Sequence, residues 1–215
     1  GLRKDSRLES TAGVETPRES MFAQLRGGWR EFASRRWLVV TVVGFSFYLM
    51  VWQGFVGVLA PVQAKERLGG ARDMSLMMFG FGAGAIAGTL LALRLRPRYP
   101  LRLISSLMPL LGLWVFALAV PTNIWLLVAA AFLTGVEFDL FYALWLTTLH
   151  THVPTEALSR VGSYDAFGST VFAPVGVFFA GPLAHTIGVR STLLGAGTIT
   201  QWAYALPDEL AARGR

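Results

Sequence analysis

Two carboxylates, Glu137 and Asp139, stand inside an apolar run from Ile124 to Thr147. If that run crosses a membrane, an acid near its middle costs about 2.5–3.5 kcal/mol to insert. The twelve Ile, Leu, Phe and Val residues of the run return roughly 4–7 kcal/mol. The helix inserts with little margin, and an acid kept at that cost is by default functional. Two residues apart on a helix is about 200°, so the pair cannot face one cavity. Glu137 lies nearer the centre, on the face of Thr134, Phe141 and Trp145. It is expected to carry a proton; the rival reading pairs it structurally with a polar group on a neighbouring helix. Asp139 is expected to serve a helix–helix contact. Tyr48, Trp52 and Gln53 stand mid-run in a second uncharged stretch. Tyr48 and Trp52 share a face one turn apart, as an aromatic wall for a large amphipathic substrate or as ordinary packing.

Other chemistries lack their residues. With no cysteine, disulfides, thiol catalysis and Cys-based zinc sites are excluded. His150-Thr-His152 is too short for a metal site, and no His-Glu-x-x-His occurs. Gly82-Ala-Gly84-Ala-Ile-Ala87 fits a dinucleotide fingerprint by letters, but no acidic residue follows at the distance that fingerprint needs. Gly168-Ser169-Thr170 has no identifiable Ser/His/Asp set around it. The expectation is therefore no enzyme, no cofactor and no metal. Gly80, Gly84 and Gly88, four apart, would let helices approach closely.

These residues need elements to position them, and composition says which. Of the 215 residues, 53% are hydrophobic and only 15% charged. Soluble domains carry about 25% charged residues, so the coat for a water-soluble globule is missing. A bilayer core of about 30 Å takes about 20 helical residues. Six runs qualify: 37–60, 74–93, 103–120, 124–147, 163–185 and 191–206. The absence of strict in/out alternation argues against a membrane β-barrel. The expected fold is an all-α membrane protein of six transmembrane helices. Residues 1–20 read as a polar disordered linker, 21–36 as an amphipathic interfacial helix, and 207–215 as a tail.

The net charge of +6 and pI near 10.3 reflect short basic clusters between apolar runs, which argues against nucleic acid as a partner. Fifteen of the 19 Lys and Arg residues fall on the side of the N-terminus. That asymmetry puts both termini in the cytoplasm of a multi-pass plasma-membrane protein, although Lys65, Arg67 and Arg72 oppose it. Run starts recur at offsets of 87 to 89 residues. A unit of three spans repeated this way must insert its second copy inverted, a feature of many secondary transporters. The chain opens on Gly1 and so is expected to be a processed, truncated or excerpted product.

From His152 the sequence reads His-Val-Pro-Thr-Glu-Ala-Leu-Ser-Arg-Val-Gly-Ser-Tyr-Asp165, continuing to Pro174-Val-Gly176 and Gly181-Pro182. This stretch, with Glu137-Phe and Leu144-Trp145, resembles the major facilitator superfamily, in particular its drug- and siderophore-exporter branch (enterobactin-exporter-like). The resemblance covers residues 22–207 and maps the six runs onto the C-terminal six-helix half, two inverted three-helix repeats. The superfamily's signature loop is degenerate here: Arg94-Leu-Arg-Pro-Arg-Tyr-Pro-Leu-Arg102 lacks its Asp and glycines. The resemblance implies that the first and fourth spans line a central cavity. It also implies that Glu156, Arg160 and Asp165 form a cytoplasmic gate, where the local reading is a simple ion pair. It implies proton-coupled efflux of a small organic molecule, with protons, the lipid bilayer and the missing N-terminal half as partners. The alternative is a truncated or split remnant, inactive or dependent on a partner half.

Overall fold

The structure, a computed structural model, describes residues 29–30, 32–95, 103, 109–120 and 123–200, without the side chain of Glu156. The polar linker, the first part of the interfacial helix, most of the Arg94–Arg102 loop, Pro121, Thr122, the end of the sixth run and the tail lie outside the described residues. Those described form helices, and among them no strand occurs.

Helix α1 (Arg36–Gly54) passes through a π-turn (Phe55–Leu59) into α2 (Ala60–Arg67) without a break. The sequence places a loop at 61–73, and the helix runs through most of it. Pro61 does not stop it, although it has no N–H for the carbonyl four residues back and its ring crowds that carbonyl. The widened turn just before it absorbs the conflict, with the Ala60 N–H reaching the Phe55 carbonyl. The connection shrinks to Leu68–Gly70. There Gly70 adopts φ 65°, open to a residue without Cβ, and the Asp73 carboxylate accepts the Gly69 N–H at 2.8 Å.

Helix α3 spans Ala71–Arg94, α4 Pro109–Ala119 and α5 Ile124–His152. The Asn123 side chain caps α5 by accepting the Trp125 N–H at 2.9 Å. α5 then runs five residues past the Thr147 boundary of the sequence reading and stops before Pro154, as the residue preceding proline is steered out of the α region. The fifth run is two helices, α6 (Thr155–Thr170) and α7 (Ala173–Ile187), meeting at Val171–Phe172 ahead of Pro174. Gly188, at φ 85°, ends α7, and α8 occupies residues 189–200.

Among the described residues, four helical stretches are long and apolar enough to cross a membrane: Arg36–Arg67, Ala71–Arg94, Ile124–His152 and Ala157–Ile187. Phe79, Trp125 and Phe178 stand largely exposed on them, where a lipid phase removes the penalty that water would impose.

Glycines set the packing. A Cβ on Gly80, Gly84 or Gly88 of α3 would run into the backbone of Val128, Phe132 or Val136 of α5. In return, Gly135 of α5 admits the Phe81 carbonyl of α3. On the other side, Gly168 of α6 meets Val42, and Gly176 of α7 meets the Met50 carbonyl of α1. Gly168 and Gly176 follow Gly80 and Gly88 by 88 residues, and their partners Val42 and Met50 precede Val128 and Val136 by 86. The core between these seams holds Tyr48, Phe55, Met77, Leu111, Trp114 and Leu127, all sealed from solvent.

Candidate functional site

Tyr48 of α1 and Glu137 of α5 meet between the two helices. Thr134, Glu137, Phe141 and Trp145, at i, i+3, i+7 and i+11, turn the same side of α5 inward and are all buried. The Tyr48 hydroxyl donates to Glu137 Oε2 at 3.0 Å. Glu137 is 1% exposed and Tyr48 0%, so water does not compete for this bond. Among the described residues, Glu137 Oε1 has no hydrogen-bond partner and no cation faces the carboxyl. One neutral donor for a buried acid is thin support. What it can do is hold a proton or surrender it to a group that enters the site.

Aromatic rings surround the pair. Phe45 stacks on Tyr48 at 5.5 Å and on Phe141 at 4.5 Å. Phe138 lies 6.1 Å from Tyr48 and 5.7 Å from Trp52. Trp52 continues the layer to Phe81 at 4.8 Å and Trp114 at 5.9 Å. Trp52 thus packs in the same layer as Tyr48, whereas Gln53 is turned outward and exposed. Asp139 lies half-buried, with no hydrogen-bond partner among the described residues.

A second acid joins the far end of this aromatic column. Trp145, stacked on Phe141 at 6.3 Å, donates from Nε1 to Asp165 Oδ2 at 3.1 Å. The Ser169 side chain also hydrogen-bonds Asp165. Asp165 is therefore occupied between α5 and α6. Arg160 is exposed, and the Glu156 side chain lies outside the described residues, so the gate trio is not seen together. Beside them, Trp37 sets its ring edge-on to Trp145 at 6.0 Å and to His152 at 6.1 Å, while Arg35 Nη1 donates to the His152 carbonyl at 3.2 Å. No group of three His, Cys, Asp or Glu among the described residues could hold a metal ion.

Two polar residues escape the sequence reading. Ser46 donates to the Gly168 carbonyl, tying α1 to α6 where the glycine brings them close. Gln63 Nε2 donates to the Leu118 carbonyl at 3.1 Å, tying α2 to α4. A lone polar residue at a mid-helix position is the only signal for either.

No solved structure matches the chain. A segment of 22 residues, 10% of the chain, is 96% identical to UDP-N-acetylmuramate–L-alanine ligase of Methylobacterium radiotolerans, of which it spans 5%. So short a match carries neither that protein's fold nor its activity. The profile of the transmembrane secretion effectors, by contrast, matches residues 7–209. The apolar helices and this match agree: the chain belongs to the transmembrane secretion effector family of the major facilitator superfamily, whose members are membrane transporters.

Proposed function

We propose that the chain is the C-terminal six-helix half of a secondary active transporter that exports a small organic molecule in exchange for protons. Glu137 takes up and releases the proton, and the aromatic layer of Tyr48 and Trp52 encloses it beside the substrate path. The carrying observation is the buried Tyr48–Glu137 pair that links α1 and α5. A carboxyl inside an apolar bundle with one unpartnered oxygen costs stability unless it serves the ion path. The matched offsets of the glycine seams support two inverted three-helix repeats, with α4 and α8 as the third span of each. Rocking of two such bundles about a central site gives alternating access. Both termini lie in the cytoplasm on this reading, and Arg160 and Asp165 work at the cytoplasmic end.

The test is efflux driven by an imposed proton gradient in vesicles containing the transporter, wild type against Glu137→Gln. Loss of gradient-driven flux, with membrane insertion retained, supports the role; flux at the wild-type level refutes it. Sequencing the DNA before the Gly1 codon separates half from remnant. An in-frame extension with six further spans identifies the half, and a nearby stop codon leaves the remnant or a dimer of halves.

A further inference from the structure

The two glycine seams enclose different interiors. Between α1, α7 and α8 lies a cavity of about 330 Å³. Its floor is the contact of Gly54 with Gly176, where a Cβ on Gly54 would come within 2.7 Å of the Gly176 carbonyl oxygen. Its walls carry two helix irregularities. Phe55 and Leu59, the first and last residues of the π-turn, line one side. Leu183, directly after the in-helix Pro182, lines the other. A π-turn and an in-helix proline are places where a helix departs from regular packing, and both border this space. Gly195 completes it from α8: a Cβ there would meet nothing within 4 Å.

The lining is almost wholly apolar, and its polar members, Ser191 and Thr192, sit together at one end. The Thr192 hydroxyl is already bonded to the Gly188 carbonyl at 2.9 Å, so no hydrogen-bond donor is offered deep inside. Such a space takes hydrocarbon. Charge marks the same end. Arg190 precedes Ser191 at the start of α8, and Lys65 and Arg67, with Glu66 between them, stand on the continuation of α1 beyond Leu59. An apolar slot with basic residues beyond one end fits a molecule with a long alkyl chain and an anionic head. In a membrane-spanning chain that molecule is a phospholipid.

We propose that the cavity between α1, α7 and α8 binds one acyl chain of an anionic phospholipid, whose headgroup sits against Arg190. The lipid would fill the seam as a wedge, and its presence does not depend on which substrate is transported.

The test is native mass spectrometry of the full chain, released by detergent from bilayers of equal phosphatidylglycerol and phosphatidylethanolamine. The wild type should retain a phosphatidylglycerol adduct in preference to phosphatidylethanolamine. Gly195→Leu, which grows a side chain into the cavity, should lower that retention at least fivefold. Arg190→Gln should remove the headgroup preference while leaving some lipid bound. If Gly195→Leu does not reach the membrane, Ile199→Trp fills the cavity from its other end and should do the same. Unchanged retention in the filled variant, or equal retention of both lipids by the wild type, means annular lipid only and overturns the site. Displacement of the adduct by a transported compound would make the cavity a substrate site and also overturns it.

Discussion

The seam between α3 and α5 and the seam between α1 and α6–α7 start from related glycines and end differently. In the first, Gly80, Gly84 and Gly88 form an unbroken ladder, and each lets the α5 backbone settle against α3. α4 closes the third side: Trp114 is buried there, and Thr134 of α5 donates to the Leu110 carbonyl at 3.1 Å. In the second, Gly168 and Gly176 hold the outer rungs, and Phe172 stands 88 residues after Gly84, at the middle rung. A phenyl ring cannot occupy a gap that excludes a Cβ. Phe172 turns aside to stack on Phe47 at 5.7 Å, and the helix is interrupted at that point, ahead of Pro174. One seam is continuous; the other is interrupted and borders the cavity. Small residues set how close two helices come, and one large residue in the series decides whether they stay close.

The largest effect should come from closing the ladder. In Gly84→Leu the new Cβ would overlap the Phe132 carbonyl, which cannot move without displacing α5. The cost should be on the order of 3 kcal/mol or more, read as loss of the monodisperse detergent-solubilised chain. Gly176→Leu meets the Met50 carbonyl in the same way and should also unfold the chain. If the interrupted seam yields by bending at Val171–Phe172, Gly176→Leu should keep more folded material than Gly84→Leu. Equal losses would show that the interruption gives no slack.

Next in size is the Tyr48–Glu137 pair. Glu137→Gln keeps the shape and an acceptor for Tyr48, so the melting temperature in detergent should hold while proton-driven efflux is lost. Tyr48→Phe removes the donor to Glu137 and leaves both carboxyl oxygens buried without a partner. It should cost about 1–3 kcal/mol of stability, visible as earlier thermal aggregation. Asp165→Asn keeps an acceptor for Trp145 and should change stability by less than Tyr48→Phe in the same melt.

The glycine spacing on α3 and the acid in α5 are legible in the sequence because each is a local pattern. An all-helical membrane chain is equally legible, from composition and run length. What Glu137 touches is not. α5 is apolar nearly all round, so no stripe says which side packs, and Tyr48 comes from 89 residues away. The partner of Asp165 is hidden for the same reason: Trp145 is near in space only once α6 folds back along α5. The helix running past Pro61 escapes a reading that treats proline as a stop, because its accommodation lies in the preceding turn and leaves no residue signature. Phe172 in place of a glycine becomes meaningful only when the two seams are laid over each other.

The smallest effect tests whether the ladder, and not glycine content, holds the first seam. Gly82 lies between Gly80 and Gly84 but about 200° round the helix from each, and a Cβ there would meet nothing within 4 Å. An alanine at that site fills open space on the exposed side and removes the excess freedom that glycine gives the unfolded chain. Gly82→Ala should therefore stabilise by about 0.5–1 kcal/mol, a slight rise in melting temperature in detergent. Gly84→Ala, one residue type and two positions away, should lower it, because even a methyl group overlaps the Phe132 backbone. If both alanines moved the melt in the same direction, helix propensity and not close approach would govern α3, and the contrast between the two seams would lose its physical basis.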